Sequence, residues 1–512
     1  MFIRCSAILA CLLLSFSAAA QGFDPGTVDW DKLSKIPMKD MFIKQFNKNC
    51  AACHGEDLRG APLGTPLVGN ELRHGDSVKE IANSIATGFA KSGMPAWSET
   101  LSEDKIWNLA LYIAEKRQGT TILDKRADMK VLLPEGTVET AQASFTIEQV
   151  VTGLDPMPFS IALLPDGRIL LSERMVGLSI IDGGKKIPVE GTPPAYNDSN
   201  MFLGQVQGLG WSLEVALHPD YDDNGWIYLH HTDRCTDCND MSKRGGQPVS
   251  MNRIVRGRLK GNQWIDQEVI WEADKAFYTT TSDLAAGGRL TFDDDNYVYF
   301  GVAMKDTLDV MGIQDLSKPY GKIHRVHDDG SIPKDNPFVD TPDAIASTWS
   351  YGHRSVQGLE YYDGYIWNTE MGPRGGDELN RVVKGGNYGW PIVTTGVNYD
   401  GRPVKVPKSV KRVPEEDTVL PVADWTPAIA ISSFVFYEGE AFPEWQGQII
   451  AGTLRATDLL RLKVSDTDVE ESEVLLEDLA RFRDIEIGDN GELYILLENK
   501  TDSQIIRLIP AE

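Results

Sequence analysis

Cys50, Cys53 and His54 stand as Cys-x-x-Cys-His. This spacing lets two thiols add across the two vinyl groups of a heme and sets the adjacent imidazole beneath the iron as an axial ligand. A sixth ligand is expected downstream. Met94 meets that need within Lys91-Ser92-Gly93-Met94-Pro95-Ala96-Trp97, where Gly and Pro hold the loop irregular and a helix pattern follows at once. His74 is the alternative ligand, against its reading as a surface residue. Cys235 and Cys238 are expected to form a local disulfide, since a loop-like setting and missing further ligands disfavour a redox dithiol or a zinc site.

Helical spacing flanks the heme motif. Met41, Ile43, Phe46 and Asn47 mark an opening helix. Ser102 is placed to cap a closing one, with Glu103 and Asp104 in its first turn and Ile106, Leu109, Ala110 and Ile113 along one face. Helix, attachment loop, Met loop and closing helix, over Met41 to Arg117, resemble a class I cytochrome c, a small all-α domain. Residues 1–20 read as a cleaved signal peptide: Arg4 precedes an apolar run, and Ala18-Ala19-Ala20 supplies small residues for cleavage. A lipoprotein signal ending at Cys11 is the alternative. The expected location is periplasmic or secreted, with no membrane span. The formal charge of −25 argues against nucleic-acid binding, which needs clustered Lys and Arg.

The expected organisation is a signal peptide (1–20), a cytochrome c domain (21–118), a linker (119–144) and a large all-β domain (145–512). In the last, a polar turn leading into an alternating strand recurs at Leu164–Leu171, His218–Leu229, Phe292–Phe300, Tyr362–Trp367 and Gly488–Ile495. Phe434–Gly452 fills the one long gap more loosely. Six blades of a β-propeller is the natural count, with ligands bound around a central channel.

From about Gly153 onward the chain resembles the soluble sugar dehydrogenases that depend on pyrroloquinoline quinone (PQQ), the glucose/sorbosone dehydrogenase family. The residues that carry this are Tyr351-Gly352-His353-Arg354, Gln357-Gly358-Leu359, Glu370 with Gly372-Pro373, Gly376–Asn380, Gly385–Pro391, Lys322–Arg325 with Asp329–Pro333, and Trp425-Thr426-Pro427. The resemblance implies a six-bladed propeller and hydride transfer from a sugar carbon to PQQ. It implies Arg481 and Arg483 as PQQ-binding arginines, and Arg354 as the group that stabilises charge on the quinone oxygen. Arg455 stands where the family has Lys, Ser355 where it has Asn, and Gln207 (or Gln205) matches a PQQ-contacting Gln. The carbonyls of Gly372 and Pro373 match ligands of a calcium that polarises PQQ, and Glu378 and Tyr388 match a second, structural calcium.

The sequence departs from the family at the base. Ala285 falls at the catalytic His position and Met304 at the Asp that orients it. Asp283 is the replacement base the sequence offers, ahead of Asp306 and Asp377. The expected function is a quinohemoprotein oxidoreductase, taking electrons from a sugar or other alcohol through PQQ to its own c-type heme and then to an external acceptor such as another cytochrome. The alternative is a non-catalytic binding propeller attached to an electron-carrying cytochrome.

Overall fold

The structure is a computed structural model that describes residues 41–119, 126–198, 200–202, 205–305, 312–406, 408 and 410–511; for Met41 and for residues 200–202 and 205–207 only the backbone is described. The signal peptide assigned to 1–20 and Asp306 lie outside these residues, as does the side chain of Gln207.

Among the described residues, four α-helices form the heme domain: α1 (Met41–Asn49), α2 (Ala51–His54), α3 (Val78–Thr87) and α4 (Glu103–Arg117). α3 begins in a reciprocal capping box between Ser77 and Glu80. Ser102 occupies the N-cap of α4, but its side chain makes no capping hydrogen bond. Phe42 and Phe46 of α1, Ile81 and Ile85 of α3, and Leu109 to Ala114 of α4 share one core. A helix buried on all sides has neighbours on all sides. The run Asn108 to Glu115 is buried without a break, because one face of α4 meets the heme domain and the other meets the propeller.

The propeller has six blades, each a four-stranded antiparallel sheet, with a fifth strand added to one of them. Their inner strands are Pro158–Leu163, Ser212–Leu217, Gly287–Phe292, Val356–Tyr362, Ile431–Phe436 and Arg481–Ile487, for blades 1 to 6 in order. Every repeated turn seen in the sequence connects an inner strand to the second strand of its blade, and the loosely matching Phe434–Gly452 segment holds the same hairpin of blade 5. Asn296 and Asp363 adopt positive φ there, as tight turns require. Period-two alternation gives each blade two apolar faces. Six buried clusters follow, one between each pair of neighbouring blades.

The ring closes by pairing Ser144–Leu154 with the C-terminal strand Ser503–Pro510 in blade 6. The 119–144 segment was expected to be a free linker, and from Arg126 onward it is not. Asn499 Nδ2 donates to Met129 O at 2.6 Å, Val131 and Leu133 pack on the core between blades 5 and 6, and Val138–Glu139 adds the fifth strand to blade 6. Cys235 and Cys238 form the expected disulfide. Among the described residues, no helix is long and apolar enough to cross a membrane.

Candidate functional site

Cys50 stands at the N-cap of α2, and Cys53 and His54 lie in its single turn. His54 Nδ1 is 2.8 Å from Thr65 O. A carbonyl can only accept, so Nδ1 carries the proton and the Nε2 lone pair is left for a metal. Phe89 and Met94 exchange two backbone hydrogen bonds, which pin the Met94 loop. Met94 packs in the same cluster as Cys50 and Leu67. Two free thiols, an imidazole of fixed tautomer and a thioether are the donor set a c-type heme needs. His74 is exposed and stacks on Phe89 with ring centroids 4.2 Å apart, so it stays on the surface.

In the propeller, the repeated turns occupy one end of the channel. Antiparallel strands then place the starts of the inner strands and the turns between second and third strands at the other end, and Arg354, Gly372, Pro373, Arg455, Arg481 and Asp283 fall there. Arg354 lies between blades 3 and 4. Gly372 and Pro373 join the second and third strands of blade 4, and Arg455 the corresponding strands of blade 5. Arg481 opens the inner strand of blade 6, and Asp283 precedes that of blade 3.

Among the described residues, Arg354 has no carboxylate on its guanidinium. Nη1 donates to Met371 O (2.6 Å) and Gly372 O (3.0 Å), Nη2 reaches Tyr399 Oη (3.4 Å), and Nε is buried without a partner among the described residues. The carbonyls of Met371 and Gly372 therefore converge on a cation. The Gly372 loop is tight: a Cβ there would lie 2.0 Å from Gly375 O. Asp377 shapes it, accepting from Gly372 N at 3.0 Å and Ile431 N at 3.2 Å, while burial pushes its carboxyl up to about 6. With both oxygens engaged in backbone contacts, Asp377 positions the loop. Ser355 Oγ accepts from Gln357 Nε2.

Arg481 and Arg483 grip Glu498 from two sides, with 2.8 Å contacts from each Nε. Burial pushes Glu498 up, but Arg481, Arg483 and Arg174 together pull it down to about 2. Arg174, at the same end of blade 1, went unnoticed in the sequence. Its guanidinium lies over Phe159 (5.0 Å) and Trp211 (5.9 Å) and has no hydrogen bond or ion pair among the described residues. Burial, with Arg483 beside it, lowers it to about 9. Among the described residues Arg174 thus stands as a buried guanidinium without a carboxylate of its own, beside the Arg483–Glu498 pair, a positive charge that suits an anion. Arg481 Nη1 also donates to Leu454 O. The adjacent Arg455 lies near Asp377 and Tyr399, which links this group to Arg354.

Tyr388 and Glu378, matched to a second calcium, have these surroundings. Tyr388 spends its phenol on Arg381 O and Val383 N and stacks on His353, so only its main-chain carbonyl could serve a cation. Burial, then Glu370, pushes the Glu378 carboxyl well above its ordinary range. Among the described residues no three His, Cys, Asp or Glu side chains form a metal cluster.

Asp283 is not presented as a base. It is buried, and its carboxylate accepts from Gly210 N, Thr232 Oγ1, Ser250 Oγ and Lys305 Nζ. Four donors fill its acceptor sites. Lys305, equally buried and pulled down by that burial, is its counterion, and the sequence reading missed it. No histidine is near Ala285 in sequence, yet His230 stands behind the turn. It contacts Asn252, which donates to Ala286 O, and burial holds His230 down at about 3, hence neutral.

Residues 155–507 match the family model described as glucose / sorbosone dehydrogenase, and residues 44–113 match that of subunit III of the cbb3-type cytochrome c oxidase. The chain is 31% identical over 376 residues to the aldose sugar dehydrogenase YliI of Escherichia coli, covering 72% of this chain and 94% of that protein. Among solved structures, the apo-form of the soluble aldose sugar dehydrogenase from Escherichia coli superposes with a TM-score of 0.61 at 29% identity, covering 72% of this chain and all of that one. The PQQ-bound form of the aldose sugar dehydrogenase from Streptomyces coelicolor gives 0.53 at 25% identity, covering 72% of this chain and 99% of that one.

Proposed function

The chain belongs to the glucose/sorbosone dehydrogenase family, and from that premise we propose that it is a PQQ-dependent dehydrogenase that oxidises a sugar or other alcohol and delivers the electrons to its own heme. A sugar-dehydrogenase-like propeller fused to a cytochrome c domain makes it a cytochrome-linked oxidoreductase. The observation that carries the PQQ reading is Arg174, a buried guanidinium with no carboxylate of its own among the described residues, beside Arg483 and Glu498. A trianionic quinone supplies the missing negative charge, and bound PQQ would supply the two-electron redox chemistry. Arg354, with Nε unpartnered, would stabilise charge on the quinone oxygen. Calcium would sit against the Gly372 and Pro373 carbonyls. The expected compartment is the periplasm or the exterior, with a second cytochrome or similar carrier as final acceptor.

The test is to add PQQ and calcium to the purified heme protein and offer aldoses and simple alcohols in turn, following the heme absorption bands. Substrate-dependent reduction that requires PQQ is expected; no reduction with any substrate, together with no PQQ binding, would overturn the reading. The second reading is a propeller that binds without turnover. It is favoured by Ala285 at the base position and by the filled carboxylate of Asp283. It predicts PQQ binding with no heme reduction.

A further inference from the structure

The two domains meet at the end of the propeller that carries the arginines. Glu115 of α4 and Arg374, next to Pro373, form a two-pronged ion pair with contacts of 2.8 and 2.6 Å. Both side chains are almost fully buried, at 1% and 0% exposure. Arg374 also lies over the ring of Phe42 in α1, 3.8 Å away. Trp107 Nε1 donates to Thr395 O at 3.2 Å and Asn108 Nδ2 to Gly401 O at 2.7 Å. Val397 of the propeller is built into the hydrophobic core of the heme domain. Gly401 meets Phe42 so closely that a Cβ would lie 2.1 Å from the ring.

This is a fitted joint. Loosely tethered domains meet through wet, polar surfaces, whereas a buried ion pair with both partners satisfied fixes one register between two surfaces. The joint also reaches the quinone site. Arg374 Nη1 contacts Tyr399 O at 3.3 Å, and the Tyr399 hydroxyl accepts from Arg354. Arg354 in turn holds the carbonyls of Met371 and Gly372. Only Pro373 stands between Gly372, an acceptor of Arg354, and Arg374, the partner of Glu115.

We propose that the heme domain is a fixed wall of the quinone site, locked by Glu115 on Arg374, and that Glu115 acts as a positioning residue for electron transfer to the heme. The proposal rests on the dehydrogenase reading above. Each C–OH oxidised to C=O releases two electrons and two protons. The heme that Cys50, Cys53, His54 and Met94 would hold would supply one-electron acceptance, twice per substrate, with an external one-electron acceptor taking each electron onward and the protons passing to water. A locked domain keeps the iron at one distance for both transfers, with no search on a tether.

The test uses the full chain loaded with PQQ and calcium, as wild type, Glu115→Gln and Asn108→Ala. Each is assayed by rapid-mixing reduction of its own heme and, separately, by reduction of a soluble dye in excess. Glu115→Gln should slow heme reduction by about tenfold or more relative to dye reduction, since small misplacements weigh heavily on position-dependent steps. Its heme reduction should also become sensitive to viscosity, while the wild type stays insensitive. Asn108→Ala leaves the ion pair intact, folds if Glu115→Gln does not, and should move the same ratio in the same direction by a smaller factor. An unchanged heme-to-dye ratio in whichever variants fold would overturn the proposal, as would viscosity-dependent heme reduction in the wild type. Small-angle scattering without quinone gives a separate reading: a compact wild type and a more extended Glu115→Gln are expected, and a wild type already extended would refute the lock. If no substrate reduces either dye or heme, the dehydrogenase reading fails while scattering still decides the joint.

Discussion

Replacing Arg174 by Met should make the empty protein more stable and quinone binding weaker, two effects of opposite sign. In the unliganded structure the guanidinium has no hydrogen bond or ion pair among the described residues, and burial beside Arg483 takes it from 12.5 to about 9. At about 1.36 kcal/mol per pH unit, holding that charge costs at most about 5 kcal/mol. An effective dielectric above that of a dry interior lowers this to about 2–3 kcal/mol. Met keeps the apolar contact with Phe159 and Trp211 and removes the charge. Over the 155–507 span, an unfolding entropy of about 2.1 cal/mol/K per residue turns this into a Tm gain of about 3–4 °C. Loss of one charge-assisted hydrogen bond, about 1.5–3 kcal/mol, should weaken PQQ binding by about 10–100-fold. Differential scanning fluorimetry without ligand reads the first effect, and quenching of tryptophan emission during PQQ titration reads the second, with Trp211 close to the guanidinium as reporter. A variant that is less stable when empty, or that binds PQQ as tightly as wild type, would show that Arg174 is a structural charge and would refute the anion-site argument.

Asp283→Asn leaves the buried Lys305 without its counterion and should destabilise the protein by about 3–5 kcal/mol, seen as a lowered Tm in the absence of any ligand. Unchanged stability with lost turnover would instead make Asp283 a base. Burial raises Glu214 to about 8, with Arg289 opposing and Asp484 adding. The folded state therefore keeps a proton that the unfolded chain releases near pH 4.5, and wild-type stability should fall as pH rises from about 4.5 to 8. Glu214→Gln should match wild type at pH 5 and exceed it at pH 8.5 in thermal melts, and a difference that does not vary with pH would refute the assignment. Met94→Ala should keep the heme attached through Cys50 and Cys53, lose the methionine–iron absorption and lower the midpoint potential measured by redox titration.

The features visible in the sequence are local ones. Cys-x-x-Cys-His needs no fold to be recognised. The turn-and-strand repeat is local within each blade, so five hairpins stood out and the sixth showed as a gap of the right length. α3 was also within reach, since Ser77 and Glu80 form a capping box before an apolar repeat. The unbroken apolar run of α4 held a further signal: one amphipathic face explains Ile106, Leu109, Ala110 and Ile113, but not Leu111, Tyr112 and Ala114, which need a second surface. What stayed hidden depends on distant partners. Arg174 matters because Arg481 and Arg483 come round the ring to meet it. Asp283 looked like a base because its four donors lie on four other segments. Glu115 and Arg374 are separated by most of the propeller in sequence and share one buried ion pair.

The position of the joint follows from one long connection. The short inner hairpins lie at one end of the ring, and the inner strands begin at the other, where Arg354 and Arg481 stand. In blade 4 the connection between the third and fourth strands, Asp377–Val382 and Ala423–Trp425, leaves Val382 at the hairpin end, opposite Ile366, and reaches the arginine end, where Val397 bridges Arg374. That excursion carries Thr395, Val397, Tyr399 and Gly401 to α4. The short Met371–Arg374 turn lies beside it and serves both sides, its carbonyls facing Arg354 and its arginine facing Glu115. A change at Arg374 must therefore disturb the quinone site and the joint together, whereas a change at Glu115 acts on the joint first. That asymmetry makes the heme-domain side of the pair the place to separate electron transfer from substrate oxidation.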